Sequence, residues 1–151
     1  FERVGRRELC VHRKGATRAF PAALLRGTPF AETGQPVLIP GSMGTASYVL
    51  VGLEAARQSL YSVNHGAGRV LSRTAAAGVV KRGQVLRPGA ISDADFQASM
   101  RGVHLICADR QTIKEEAPAA YKDIDAVVAA VVGAGLASIV ARLVPLAVLK
   151  G

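Results

Sequence analysis

Tryptophan is absent from this chain, and four phenylalanines with three tyrosines are all the aromatic rings that 151 residues supply. A core without large rings has to be built from Ala, Val and Leu, which depends on backbones approaching closely. Cysteine is scarce as well. Cys10 and Cys107 are too few for a disulfide framework and form no CxxC pair of the kind that holds zinc. That usage fits a reducing compartment, so a cytoplasmic location is expected. The chain opens FERVGRRELC, with no initiating methionine and no run resembling a signal sequence, and reads as a piece of a longer protein. Acidic residues number 11 against 19 basic ones, leaving a net charge of +8. The surplus fits a polyanionic partner such as RNA or an acidic membrane surface, and equally a basic protein that is merely soluble.

What the chain does have is apolar residues, half of the total, in an amount expected of one folded domain rather than a disordered segment. Residues 126–149, AVVAAVVGAGLASIVARLVPLAVL, are long enough to raise the question of a membrane span. Arg142 and Pro145 interrupt the run and the Gly133–Gly135 pair divides it, so a buried helix over about 124–133 followed by a buried strand over about 137–149 is the expectation. No membrane contact is expected.

The remaining pattern is one of short elements in irregular order. RELCVHR (7–13) reads as a strand entering the loop KGATR, residues 21–36 as an irregular connection, and PVLIP, SYVLVG and LYSVN as extended runs. RVLSRTAAAG predicts a helix over 69–77 that stops at Gly78. KRGQVLRPGAIS reads as a basic, turn-rich insertion. Ser92 and Asp95 have the spacing of a capping box for a short helix through Met100. VHLICA is strand-like and QTIKEEAPAAYKDID polar. The fold class expected is α+β, with irregular mixed sheets and short helices.

Two motifs carry chemistry. GSMGTAS (41–47) sets two glycines beside Ser42, Thr45 and Ser47 after a strand, where bare backbone amides and hydroxyls could meet an anion. It lacks the GK[ST] of a P-loop, and a tight turn explains the same residues. In HGAGRVLSR (65–73), His65 is followed by almost no side-chain bulk and then by Arg69 and Arg73, which share a face if the segment is helical. Exposed amides near a helix start favour an anion. A histidine facing that anion can serve as a base, a metal ligand or a nucleophile toward phosphorus; the plain alternative is a hydrogen-bonded histidine with two solvated arginines. His12 reads equally as a surface residue or a ligand, since one imidazole does not hold a catalytic ion. His104, in an apolar strand, reads as structural. A Ser-His-Asp hydrolase is disfavoured because GSMGT is not a GxSxG elbow and no acid is evident for His65.

Taken together, PGSMGTASYVL (40–50), HGAGRVLSR (65–73), EAPAAYKDID (116–125) and the closing LKG (149–151) resemble the C-terminal portion of the RtcB family, the GTP- and manganese-dependent RNA ligases of tRNA splicing and RNA repair. The resemblance runs in order from about residue 8 to the last, and the combination is specific. It implies an RtcB-like fold of which residues 1–151 form the C-terminal segment of a larger catalytic domain. It also implies that His65 attacks the α-phosphate of GTP, that GMP passes to an RNA 3′-phosphate, itself formed in some cases by opening a 2′,3′-cyclic phosphate, and that a 5′-hydroxyl then displaces GMP to seal the strand.

The same resemblance makes His12 a manganese ligand and Ser42, Ser47, Ala67 and Gly68 the lining of the nucleotide site. Tyr121 and Lys150 would hold the guanine end, with Arg69 and Arg73 facing phosphate. For Ser47 and Tyr121 a packing role with a satisfied hydroxyl stays open. RNA and GTP are the implied partners, with an activating protein as a further candidate. Two departures stand out. The family's upstream half, with an aspartate, a cysteine and two further histidines of the metal site, is absent from these residues, so the segment alone is expected to be inactive. Asn64, before the histidine, stands near where many relatives have cysteine or serine. A non-catalytic nucleotide- or RNA-binding fragment of such a ligase is the alternative reading, and a histidine phosphotransferase or phosphatase a third.

Overall fold

In the computed structural model, residues 1–108 and 113–150 are described, and the chain divides into two compact units. The first comprises Phe1–Pro40, Tyr48–Gly66 and Asp125–Leu143; the second comprises Gly41–Ser47, Ala67–Ile124 and Val144–Gly151. The strands of the chain, in order, are β1 (Glu2–Val4), β2 (Arg7–Leu9), β3 (Ala16–Arg18), β4 (Pro36–Ile39), β5 (Ser47–Gly52) and β6 (Ser62–Asn64). After α1 (Arg73–Ala77) come β7 (Gly78–Lys81), β8 (Gln84–Pro88), α2 (Asp93–Ser99) and β9 (His104–Cys107). The helix α3 (Ile124–Gly133) then leads to β10 (Ala137–Leu143) and β11 (Ala147–Lys150). Small sheets with short helices make this a mixed α+β chain, as its irregular sequence pattern predicts.

In the first unit β4 and β5 pair antiparallel with Ile39 opposite Tyr48, and β10 joins β5 to make a sheet of order β10-β5-β4. Burial alternates along both β4 and β5, because successive side chains point to opposite faces and only one face is covered. Val37, Ile39 and Leu50 are almost fully enclosed, and each such side chain contributes about 1.5–3 kcal/mol. The missing aromatic bulk is replaced by close approach: a Cβ at Gly52 would lie 2.5 Å from the carbonyl oxygen of Ala19. Arg13 ties the hairpin β1–β2 to the strand before the histidine, holding both oxygens of Glu2 at 2.7 and 2.6 Å and donating to Ser62 Oγ at 2.8 Å.

The second unit is held by alanines. Ala76, Ala117 and Ala120 surround Ile91, with Leu71, Phe96 and Tyr121 packed against them. A second cluster of Met43, Met100 and Ile113 gathers Val103, and Leu105 and Val148 from the parallel pair β9–β11. Ser92 caps α2 as its spacing predicts, its Oγ accepting from the Asp95 amide at 3.1 Å, while the Asp95 carboxylate accepts from the same hydroxyl at 2.6 Å.

Four expectations need correction. The strand read over 7–13 ends at Leu9. LYSVN is extended only from Ser62, because Leu60 and Tyr61 are left-handed, with φ of 53° and 50°. The basic, turn-rich stretch from Lys81 is not an insertion between elements but part of the antiparallel hairpin β7–β8, reversed at Arg82 and Gly83, both at positive φ. The apolar stretch after Gly135 is two strands in different sheets, parted at Val144–Leu146 beside Pro145, and it is largely exposed: Val140 at 60% and Leu149 at 74%. Most side chains of β10 and β11 are exposed, those on both faces included. His104, read as structural, is also exposed. No helix among the described residues is long and apolar enough to cross a membrane.

Candidate active site

His65 follows β6 directly. β6 pairs antiparallel with β3, Asn64 opposite Ala16, and the His65 amide continues the ladder by donating to Gly15 O at 3.3 Å. The KGATR loop after His12 thus becomes the partner of the strand that presents His65. The imidazole of His65 is exposed. Asn64 braces the turn beyond it, its Nδ2 donating to Gly66 O at 2.9 Å, while its Oδ1 is buried with no partner among the described residues. His12 is exposed, with Nε2 3.2 Å from Cys10 Sγ. Among the described residues no group of three or more His, Cys, Asp or Glu is placed to hold a metal ion, so His12 and Cys10 do not make a manganese site by themselves.

In the second unit, the segment after Gly66 is laid against residues 120–122. Lys122 N donates to Gly68 O at 2.9 Å, Val70 N to Ala120 O at 2.9 Å, and Arg69 bridges Tyr121 antiparallel. This pairing holds residues 69–71 out of the helix, and Ser72 caps the helix by accepting from Ala75 N, so α1 begins only at Arg73. Arg69 and Arg73 therefore do not share a helix face as the spacing predicts. They meet through tertiary structure, at Glu116, at 3.5 and 3.7 Å.

The two arginines differ in what they have left to give. Arg69 is mostly enclosed: Nε donates to Leu71 O at 2.9 Å, Nη1 to the Tyr121 hydroxyl at 2.8 Å and toward Glu116, and Nη2 to Glu115 O. Its guanidinium also lies 4.8 Å from the Tyr121 ring centroid. Arg73 is 70% exposed and only loosely paired, with Glu115 and Glu116 each at 3.7 Å. Of the pair, Arg73 is the one with donors open to an incoming phosphate.

Glu116, the first residue of the EAPAAYKDID motif, is the centre of this cluster and was given no role from the sequence. Burial pushes its carboxyl up, but the Tyr121 hydroxyl and the charges of Lys150, Arg69 and Arg73 outweigh burial and hold it below the usual value. Tyr121 donates to that carboxylate, and burial together with this bond raises the phenol. Four residues named from the sequence, Arg69, Arg73, Tyr121 and Lys150, thus converge on one carboxylate that sequence reading missed.

Ser42 and Ser47 belong to a separate tight turn. Ser42 N donates to Thr45 Oγ1 at 2.7 Å, the two hydroxyls lie 2.9 Å apart, and Gly41 N donates to Ser47 Oγ at 3.3 Å. The glycines here are explained by packing, since a Cβ on Gly41 would fall 2.1 Å from Ala46 O and one on Gly44 2.4 Å from Ser99 O. Gly68 differs: at φ +74° a Cβ would meet nothing within 4 Å, so the bare backbone faces open space. Ala67 beside it is buried. Lys150 ends β11 opposite Cys107; Gly151, the last residue of the LKG motif, lies outside the described residues, as do Gln111 and Thr112.

A family model described as tRNA-splicing ligase RtcB matches residues 1–151. The chain is 49% identical over 150 residues to the tRNA-splicing ligase RtcB of Thermococcus kodakarensis, a match covering 95% of this chain and 28% of that protein. It is 48% identical over 147 residues to the protein of the same name from Pyrococcus horikoshii, covering 95% of this chain and 16% of the relative. With the RNA-splicing ligase RtcB of Mycobacterium bovis it shares 47% identity over 146 residues, covering 96% and 32%. The chain spans less than a third of the length of each of these relatives.

Proposed function

The chain belongs to the RtcB family of tRNA-splicing ligases, and on that premise we propose that it is the C-terminal catalytic segment of a GTP-dependent RNA ligase whose nucleophile is His65. The observation that carries the reading is an exposed imidazole held on a bonded backbone and followed, at Gly68, by a bare backbone with nothing within 4 Å of an added Cβ. A neutral ring nitrogen attacks the α-phosphorus of GTP; the P–N bond forms as the bond to the β-phosphate oxygen breaks, pyrophosphate leaves with the electron pair, and the ring gives up its other proton. An oxygen of an RNA 3′-phosphate then attacks the same phosphorus, returning the imidazole. The 5′-hydroxyl of a second end attacks the activated 3′-phosphorus, loses its proton, and expels GMP.

In this reading Arg73 meets phosphate, while Arg69 acts by fixing Tyr121 and Glu116. Tyr121 and Lys150 hold the guanine end, Gly68 leaves the approach clear and Ala67 sets its floor. Ser42 and Ser47 shape the neighbouring turn. Manganese neutralises phosphate charge where the intact protein binds it, and His12 is this chain's donor toward it. The test is ligation by the full-length protein of a 3′-phosphate RNA to a 5′-hydroxyl RNA with GTP and manganese. Joining by the wild type and none by His65→Ala is expected; equal joining by both would sink the assignment. The incomplete set of metal donors among the described residues favours a second reading for the segment in isolation, a nucleotide- or RNA-binding fragment without turnover. RNA bound but not joined by residues 1–151 alone is its expected signature.

A further inference from the structure

Between Ala67 and Ser92 the second unit carries Arg69, Arg73, Lys81, Arg82 and Arg87 and not one aspartate or glutamate. Arg69 and Arg73 are engaged at Glu116. The other three stand on β7–β8, and none has an acidic partner among the described residues. Every residue from Val80 through Pro88 is exposed. A row of unpaired cations on an arm that reaches into solvent repels itself and stabilises nothing in the fold. It becomes favourable only when a polyanion arrives.

The arm is stiff and firmly rooted. Arg82 and Gly83 turn at φ of 50° and 78°, the geometry whose twist matches paired strands. At its base a Cβ on Gly89 would fall 2.3 Å from Ala76 O, and Ala90 N and Ile91 N donate to Ala75 O and Ala76 O at 2.8 and 3.2 Å. The root is therefore α1, the helix that begins with Arg73. The cross-strand pair Val80–Val85, with Pro88 and Ile91, lines a groove of about 630 Å³ beside the arm. The one carboxylate on this groove, Asp93, is held by Lys114 at 2.7 Å.

We propose that the β7–β8 hairpin is an RNA-docking arm, on which Lys81, Arg82 and Arg87 hold backbone phosphates of a single strand. The inference rests on the ligase reading and adds a surface to it. A protein partner fits poorly, because interface cores are poor in charge and rich in aromatics, and residues 74–92 contain no aromatic at all. The tip is Arg and Gly, and the exposed Val85 and Leu86 behind it are too little apolar surface to anchor the arm in a bilayer. Phosphate recognition without stacking rings predicts binding that is tolerant of sequence and strongly salt-dependent.

The test compares the full-length protein with K81Q/R82Q/R87Q and with R82Q alone, a tip substitution that touches no core. Affinity for single-stranded 3′-phosphate RNA is measured across a series of KCl concentrations, beside GMP adduct formation with GTP and manganese in the absence of RNA and binding to phosphatidylserine vesicles. The slope of log K on log salt is expected to fall by about 2 in the triple variant and about 0.7 in R82Q, with adduct formation unchanged. An unaltered slope in a protein that still forms the adduct overturns the arm alone. Loss of vesicle binding with RNA binding intact overturns it in favour of a membrane surface. A wild type that neither forms adduct nor joins RNA defeats the ligase reading instead.

Discussion

The Arg69 guanidinium lies over the Tyr121 ring at 4.8 Å and donates to the same residue's hydroxyl at 2.8 Å, while that hydroxyl donates onward to Glu116. A motif arginine therefore builds the wall of the site, and its neighbour four residues on is left with donors to spare.

Arg69 and Arg73 should part company when each is replaced. Arg69→Ala removes the donors to Leu71 O, Glu115 O and the Tyr121 hydroxyl together with one of the cations at Glu116, and is expected to cost about 1–3 kcal/mol of stability. Arg69→Lys should recover little, since an ammonium does not reproduce the fork. Arg73→Ala, at an exposed position, should stay within about 0.5 kcal/mol yet slow GMP transfer. Urea midpoints beside adduct rates separate the two; equal stability losses would contradict the division.

The stability of the folded chain should fall in acid for identifiable reasons. Glu2 is held below the usual carboxylate value by its bond from Arg13, Asp125 by bonds from Tyr48 and then Arg142, and Glu116 by its neighbours against the upward push of burial. A carboxyl lower in the native than in the unfolded state contributes fully above the unfolded value, about 4. That contribution is lost as pH falls through the lowered native value. Thermal midpoints across that window should drop less steeply in Glu2→Gln and Glu116→Gln than in wild type, from a lower plateau at neutral pH. Parallel curves would refute the assignment.

Asn64 and Gly68 should report on activity more than on folding. Asn64→Ala loses one hydrogen bond but also removes a buried oxygen that lacks a donor, so the net change should lie within about 1 kcal/mol. Its loss of the brace to Gly66 should nevertheless slow adduct formation at His65. Gly68→Ala should cost about 1–3 kcal/mol through its positive φ, without a clash, and hinder the nucleotide. Adduct rates at saturating GTP test both; wild-type rates would show the backbone around His65 to be inert.

Gly41→Ala is expected to be severe because its methyl would overlap a backbone carbonyl at 2.1 Å. A loss of about 1–3 kcal/mol, read as a lowered urea midpoint, would confirm that this glycine serves packing. A neutral result would return it to the nucleotide.

Legibility followed the range of the interaction. The caps at Ser72 and Ser92, the stop at Gly78 and the extended runs that become β4 and β5 are local, and residue types revealed the last three. The length of α1 was misjudged because a long-range bridge from Arg69 to Tyr121 competes with the helical preference of residues 69–72. The β7–β8 hairpin was hidden because Arg-Gly is a weaker turn signal than Asn-Gly. Glu116 was not singled out, since what makes it central is the convergence of nearby Tyr121 with the distant Arg69, Arg73 and Lys150. The apolar residues of 137–149 suggested burial that strand placement within these two units does not provide.

The most direct measurement is peptide mapping of the full-length protein after reaction with GTP and manganese. GMP bonded through phosphorus to the His65 imidazole, released by acid and absent from His65→Ala, is the predicted result. A nucleotide carried on another residue, or undiminished in that variant, would contradict it.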